Sequence, residues 1–139
     1  MDIKLFQLQI HGDERGSLVS LEDKKNVPFA IARVFYLYRT ADGVRRGFHA
    51  HKSLQQLVVS VTGTCRFSLD DGREKIDILL DNPEQALYLG PRMWHEMYDF
   101  SEDCVLLVLA SSIYDEADYI RNYDDFLKHI ETTNAASIL

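Results

Sequence analysis

The chain has 139 residues, of which 46% are hydrophobic and 11% aromatic, and its formal net charge is −7. This size and composition suit one packed domain over residues 1–139 and exclude a disordered polymer. The negative charge argues against nonspecific binding to nucleic acid, and no apolar stretch approaches the ~20 residues of a membrane span, so neither partner is expected.

The first residues and the cysteines indicate the cellular compartment. Met1 to Lys4 show no basic segment followed by a long apolar run, so no signal peptide is expected. Two cysteines, Cys65 and Cys104, lie within apolar segments. We interpret them as buried, reduced thiols of a cytoplasmic protein, with a disulfide between them as the alternative.

Most of the chain alternates with a period of two, which predicts strands. Turn signals at Asp70-Asp71-Gly72 and Asp81-Asn82-Pro83 separate some of them. About nine or ten short strands spaced in this way favour a sandwich or barrel. The predicted strands that we name, in chain order, cover residues 3–10, 17–22, 33–38, 54–61, 64–69, 75–80, 85–89, 94–98 and 104–110.

The segment that begins at Asp115 changes its period. Apolar side chains now recur at intervals of three and four residues, which predicts one amphipathic helix. The apolar positions of this helix are Tyr119, Tyr123, Phe126, Leu127 and Ile130.

Histidines supply the first candidate chemistry. His49 and His51 stand two residues apart, so in a strand both rings point to the same face. Two imidazoles on the inner face of a barrel need polar partners and are poor core fillers, which favours a functional role. The alternative is a pair of surface histidines on the outer face. His95 opens another predicted strand and taken alone would be a core or rim residue.

The spacing around these histidines resembles the cupin motifs. His95 holds the histidine position of the second motif. Gln56 stands where the first motif usually has the glutamate that completes a metal site with the histidines. Three imidazoles can still hold zinc, but oxygenase-type iron sites use a carboxylate. We therefore expect no metal, with a metal-dependent cupin as an alternative. The first motif is carried by Gly43, His49, His51, Gln56 and Gly63.

A more specific resemblance spans residues 13 to 121. The chain is similar to the sugar 3,4-ketoisomerases of the cupin superfamily. The motifs that carry the resemblance are Asp13-x-Arg15-Gly16-Ser17-Leu18-Val19, Arg33-Val34-x-Tyr36, Arg46-Gly47-Phe48-His49-Ala50-His51-Lys52, Trp94-His95-Glu96-Met97 and Tyr114-Asp115-Glu116-x-Asp118-Tyr119-Ile120-Arg121.

The resemblance implies an all-β cupin jelly-roll sandwich with a C-terminal α-helix. It implies an isomerase without metal or cofactor that moves the carbonyl of dTDP-4-keto-6-deoxy-D-glucose from C4 to C3. The product would be aminated and used for surface polysaccharide. Members of the family are homodimers, in some cases with exchanged N-terminal strands.

Proton transfer of this kind suits the residues. The C3 proton is acidified by the C4 carbonyl, and its removal leaves an enediolate. Histidine is the side chain that titrates near neutral pH, so His49 and His51 are the expected catalytic pair, with base and acid left unassigned. Tyr36 and Arg33 are candidate donors to the enediolate oxygens. The resemblance also implies that His95 contacts the substrate.

The nucleotide requires positive charge. Arg46 and Lys52 flank the histidine strand, and Arg15 precedes another strand, so these three are candidate contacts of the diphosphate. Within the family the pair at Arg15 and Gly16 differs between enzymes with galacto and gluco products. Arg-Gly resembles the galacto type, which predicts dTDP-3-keto-6-deoxy-D-galactose as the product.

Two other functions remain open from the sequence. A 3,5-epimerase of the same nucleotide sugar begins with the same proton abstraction and returns a 4-ketone. A noncatalytic cupin would use the histidines only to bind a sugar nucleotide. Product NMR separates the three by showing a C3 ketone, an epimerised C4 ketone or unchanged substrate.

Overall fold

The computed structural model describes residues 1 and 3–138. These residues form twelve β-strands, one short 3-10 helix and one α-helix. The 3-10 helix, Glu116–Asp118, lies between the last two strands, and the α-helix, α1 (Tyr123–Ile138), follows the last strand. The strands are β1 (Leu5–Gln7), β2 (His11–Asp13), β3 (Gly16–Leu18), β4 (Arg33–Leu37), β5 (Arg46–His51), β6 (Gln56–Thr62), β7 (Cys65–Asp70), β8 (Lys75–Leu80), β9 (Gln85–Leu89), β10 (Trp94–Tyr98), β11 (Val105–Ala110) and β12 (Tyr119–Ile120).

The strands form two antiparallel sheets that face each other. Within the described residues, one five-stranded sheet has the order β1-β9-β6-β11-β4 and the other β12-β5-β10-β7-β8. Strands β2 and β3 form a separate two-stranded hairpin. The predicted all-β sandwich with a C-terminal helix is confirmed, and no described helix is both long and apolar enough to cross a membrane.

The core lies between the sheets and follows the period of two. In β7, Cys65, Phe67 and Leu69 are each at most 1% exposed. They meet Leu106 and Val108 of β11 in the opposite sheet. Burial raises the pKa of the Cys65 thiol to about 12, so this cysteine is an un-ionised core residue.

A smaller cluster covers the outer face of the second sheet. Trp94 of β10 and Ala50 of β5 point away from the sandwich interior and pack on Phe126 of α1. Their neighbours along each strand therefore point inward, because side chains alternate between the two faces. This is how the helix orients the strands that carry the histidines.

The helix prediction was wrong in its first half. We expected a helix from Asp115, but α1 begins at Tyr123. Asp115 instead caps the 3-10 helix by accepting a hydrogen bond from the N–H of Ala117, and Tyr119 pairs with His51 as part of strand β12. Residues 119 and 120 pair with the open edge of β5 as a strand, because pairing between distant parts of the chain outweighs the local preference for a helix.

Candidate active site

A cavity of about 540 Å³ opens between the two sheets. Its volume lies within the roughly 300–1,000 Å³ of small-molecule sites. Apolar side chains from both sheets form most of the wall, and histidines, arginines and one glutamine add polar groups. The lining residues are Phe35, Tyr36, Leu37, Tyr38, Arg46, Gly47, His49, Gln56, Val58, Phe67, Leu89, His95, Met97, Val108, Tyr119 and Arg121.

Strand β5 carries a β-bulge beside this cavity. His49 pairs with His95 of β10 and Gly47 pairs with Glu96, which leaves Phe48 as an extra residue. Gly47 has a φ of +94°, and Phe48 follows with a φ of +60°. A Cβ at Gly47 would lie 2.8 Å from the backbone oxygen of His95, so only glycine fits. The bulge lets the rings of His49 and His95 approach to 4.5 Å between centroids.

Backbone carbonyls fix the tautomer of both cavity histidines. Nδ1 of His49 lies 3.1 Å from the oxygen of Gly47, and Nδ1 of His95 lies 3.3 Å from the oxygen of Met93. A carbonyl oxygen can only accept, so each Nδ1 carries the hydrogen and donates it. The neutral ring then keeps its lone pair on Nε2, which is the form of a proton acceptor.

His51 is the third member of the histidine cluster. Its ring lies 5.0 Å from that of His49 between centroids. In the described part of the chain it lines a second cavity of about 160 Å³, together with Arg33 and Asp118, rather than the large one. Nδ1 of His51 donates to Oδ2 of Asp118 at 3.1 Å. Tyr119 forms part of the wall of both cavities.

Burial keeps the three imidazoles neutral. It lowers the pKa of His49, an effect partly offset by the hydrogen bond to Gly47. Burial and the neighbouring His49 lower the pKa of His51 to about 4 and that of His95 to about 3. At neutral pH the cluster therefore offers proton acceptors rather than cations.

Positive charge at the large cavity comes from arginine. Arg46 and Arg121 both line it. Arg121 makes two hydrogen bonds to the carboxylate of Glu116, at 2.6 and 2.9 Å, and lies 4.2 Å from the ring centroid of Tyr119. Two guanidinium groups at one cavity suit an anionic substrate despite the acidic chain.

The structure brings some of the predicted site residues together and separates others. His49, His95, Tyr36 and Arg46 share the large cavity. Arg33 lines the second cavity with His51, and Lys52 lies on a third cavity beside the helix. Arg15 and Gly16 are exposed in the β2–β3 hairpin, where Arg15 pairs with Asp13.

Sequence reasoning missed three residues of the site. Asp118, Tyr119 and Arg121 had been placed on a helix, although they belong to a motif that carried the resemblance. The alternation of Tyr119, buried Ile120 and Arg121 is a strand pattern that could have identified them.

The donor set does not fit a resident metal ion. Gln56, which is 6% exposed, contributes a neutral amide where an oxygenase-type iron site would use a carboxylate. Among the described residues, no group of three or more histidine, cysteine or acidic side chains has a geometry that could hold a metal.

Comparison with known proteins identifies relatives over nearly the whole chain. The FdtA family profile, described as "WxcM-like, C-terminal", matches residues 1–131. A TDP-4-oxo-6-deoxy-alpha-D-glucose-3,4-oxoisomerase from Aneurinibacillus thermoaerophilus is 52% identical over 134 residues, which are 96% of this chain and 96% of that protein.

Solved structures agree with this relationship. A histidine-to-asparagine variant of the 3,4-ketoisomerase QdtA from Thermoanaerobacterium thermosaccharolyticum, in complex with TDP-4-keto-6-deoxyglucose, has a TM-score of 0.91 at 40% identity and 94% coverage of both chains. A 3,4-ketoisomerase from Helicobacter canadensis has a TM-score of 0.90 at 44% identity, covering 94% of this chain and 98% of that one. The 3'-monoepimerase ChmJ from Streptomyces bikiniensis has a TM-score of 0.71 at 20% identity, covering 84% of this chain and 67% of that one, a likeness of fold alone.

Proposed function

The chain belongs to the FdtA family, and from that premise we propose that it is a sugar 3,4-ketoisomerase acting on dTDP-4-keto-6-deoxy-D-glucose. The observation that carries the proposal is a neutral histidine, His49, that lines a cavity of sugar-nucleotide size and is held in the Nδ1–H tautomer. The reaction needs a proton acceptor and a donor at one site, and it needs no redox cofactor because oxidation at C3 is balanced by reduction at C4.

We assign the first proton transfer to Nε2 of His49. It removes the proton from C3, and the electron pair of that C–H bond forms the C3–C4 double bond of an enediolate while the C4 oxygen takes negative charge. We keep Tyr36 as the candidate donor to an enediolate oxygen because it contributes to the wall of the same cavity, although its side chain is 63% exposed and its strand neighbours Phe35 and Leu37 are the residues that pack in the core. Return of a proton to C4, with loss of the proton on the C3 oxygen, gives the 3-ketone.

The arginines would hold the diphosphate of the substrate. Arg46 and Arg121 line the cavity that holds His49, and Arg121 is fixed in place by Glu116. A guanidinium group makes bidentate hydrogen bonds to phosphate oxygens. His95, which lines the same cavity with the same tautomer as His49, contacts the sugar in this proposal.

Incubation with dTDP-4-keto-6-deoxy-D-glucose in deuterium oxide tests the function. We expect NMR to show a new C3 ketone and deuterium at C4 wherever the histidines exchange their protons with solvent. The same conversion should continue after thorough chelation, since Gln56 replaces the acidic ligand of metal cupins. An epimerised 4-ketone, unchanged substrate, or activity lost on chelation and restored by metal would each contradict the proposal.

The functional unit in this proposal is a homodimer. The β2–β3 hairpin is exposed along its whole length, and Val34 of β4 and Tyr38, which follows β4, are each more than half exposed. A two-stranded ribbon is marginally stable alone, so a second copy would supply its packing. In the described chain β1 pairs with β9 of the same molecule, and an exchange of N-terminal strands would replace this pairing between copies. A solution mass of one chain would refute the dimer.

We also propose a product of galacto configuration, set by Arg15 and Gly16. The enediolate is planar, so the face on which C4 is reprotonated depends on how the sugar is held. The hairpin that carries both residues lines none of the described cavities of its own chain, so a second copy must bring it to the substrate.

Replacing Arg15 and Gly16 with tyrosine and arginine is expected to shift the product mixture towards the gluco isomer, with His49 and His51 untouched. Gly16 has a φ of +144°, which strains any other residue, so Gly16→Ala is the control for strain without a new side chain. Enzymatic amination of the product followed by NMR coupling constants at C4 reads the configuration. A gluco product from the unmodified protein would refute the stereochemical proposal alone.

A further inference from the structure

We propose that Asp118 is a positioning residue for the isomerisation: it holds His51 in the Nδ1–H tautomer, so that Nε2 of His51 serves as the proton acceptor next to His49. This inference rests on the proposed function, but its decisive measurement does not depend on turnover.

The Asp118 carboxylate receives three hydrogen bonds that fix it as an acceptor. Oδ1 accepts from the N–H of Ser53 at 2.8 Å, and Oδ2 accepts from the N–H of Leu54 at 3.2 Å and from Nδ1 of His51 at 3.1 Å. Because an ionised carboxylate has no hydrogen to give, the hydrogen between Oδ2 and the ring belongs to His51. The two backbone bonds prevent the carboxylate from turning away.

With Nδ1 of His51 bound to Asp118, Nε2 is the ring atom that remains available to accept a proton. The side chain of His51 is 3% exposed, and its Nε2 is buried without a hydrogen-bond partner in the described residues. An unpartnered buried acceptor is uncommon in native structures and calls for an explanation such as a catalytic role. The rings of His49 and Tyr119 lie 5.0 and 4.3 Å from that of His51 between centroids, so the acceptor belongs to the cluster that borders the substrate cavity.

The second cavity gives this acceptor a polar surrounding. It measures about 160 Å³ and has room for water, and its titratable and charged lining residues are Arg33, His51, Asp115, Asp118 and Tyr119. The charged groups that act on His51 are therefore Asp118 and Arg33, besides the neighbouring His49. With Nδ1 of His51 bound to Asp118, only Nε2 is left for proton exchange, and the ring of His49 lies 5.0 Å from that of His51 between centroids.

Asp115 shows what a purely structural aspartate does in the same 3-10 helix, so it serves to test whether Asp118 positions His51. Asp115 starts the same 3-10 helix and accepts a hydrogen bond from the N–H of Ala117, a backbone capping contact. Asp118 makes backbone contacts as well, but its additional bond to an imidazole adds nothing to chain capping. Asp115→Asn is therefore a matched control, because asparagine caps as well as aspartate.

The first test uses the unmodified protein. Nitrogen-15 NMR of the imidazole groups distinguishes Nδ1–H from Nε2–H tautomers at neutral pH. We expect His51 in the Nδ1–H form with an unprotonated Nε2. An Nε2–H tautomer would overturn the proposal, whether or not the protein proves to be a ketoisomerase.

The second test is Asp118→Asn. The amide can keep an oxygen on the N–H of Ser53, but its NH₂ group then faces Nδ1 of His51 and favours the opposite tautomer. We expect kcat to fall by on the order of 10²-fold with KM within about twofold, as for a carboxylate that orients a catalytic histidine. On a background of His51→Asn the same substitution should change kcat less than about twofold, because it acts through His51.

Other results would overturn the proposal. A folded Asp118→Asn protein with unchanged kcat, or an equal loss of kcat in Asp115→Asn, would show that the carboxylate is only structural. If Asp118→Asn does not fold, the tautomer of His51 in the unmodified protein decides the question. Inactivity of the unmodified protein with an Nδ1–H tautomer would instead count against the proposed function.

Discussion

Replacing His49 with asparagine is expected to lower kcat by at least about 10²-fold while the protein remains folded, since loss of a general base commonly costs that much. His49 lines the large cavity and keeps an Nε2 lone pair, which asparagine cannot supply as a base. Asparagine can still bond to Gly47, so its fold should persist. Steady-state kinetics and a thermal unfolding midpoint measure the two effects separately.

His51→Asn should reduce kcat by a similar factor of at least about 10². His129→Asn is the control, because His129 lies on α1 and lines neither the large cavity nor the second one. If both His49→Asn and His51→Asn keep the rate of the unmodified protein, the histidines take no part in catalysis and the assignment fails.

Acid should unfold this protein because its histidines are buried in neutral form. The pKa of His51 is about 4 and that of His95 about 3, against an ordinary value of 6.5. Between these values the unfolded chain binds more protons than the folded one, so stability is complete above pH 6.5 and falls as the pH drops towards 3. Each histidine contributes up to about 1.4 kcal/mol per pH unit in this window.

We therefore expect the free energy of unfolding to fall by several kcal/mol between neutral pH and about pH 4. Urea denaturation at a series of pH values measures this slope. His95→Gln removes one of the titrating groups and should flatten the slope. A slope that is the same in the unmodified protein and in His95→Gln would show that His95 does not carry the effect.

Catalysis should tolerate mild acid better than a free imidazole would. The base form of His49 is the neutral ring, and burial lowers the pKa of that ring. The acidic limb of kcat/KM should therefore lie below pH 6.5, the ordinary histidine value. The pH midpoint of this limb, read from a pH profile of kcat/KM, distinguishes a buried catalytic histidine from an exposed one.

The strands were predictable from local pattern, and so was the pairing of two histidines on one face. In β4, for example, the half-buried Phe35 and Leu37 alternate with the exposed Val34 and Tyr36. Placement of the third histidine needed the register: His95 lies opposite His49 only because β5 and β10 are neighbours in the sheet. No spacing in the sequence states which strands are adjacent.

The failures have a common physical cause. Tyr119 and Tyr123 have helical spacing, but Tyr119 pairs with His51 at the edge of β5, and only Tyr123 is part of the helix. Local sequence propensity does not include pairing with the edge of a strand that lies some 70 residues earlier in the chain. Lys52 was expected beside the histidines because it is close in sequence, yet it follows the end of β5 and faces the helix side.

The bulge at Gly47 limits how this cavity can be redesigned. Substitutions at Phe35 or Met97 would reshape the wall for a different sugar nucleotide without changing the bulge. Gly47 belongs to the same wall, but its φ of +94° and its 2.8 Å clearance from the His95 oxygen close that position to the other nineteen amino acids. A mutant library for new substrates should therefore randomise the wall and hold this one codon constant.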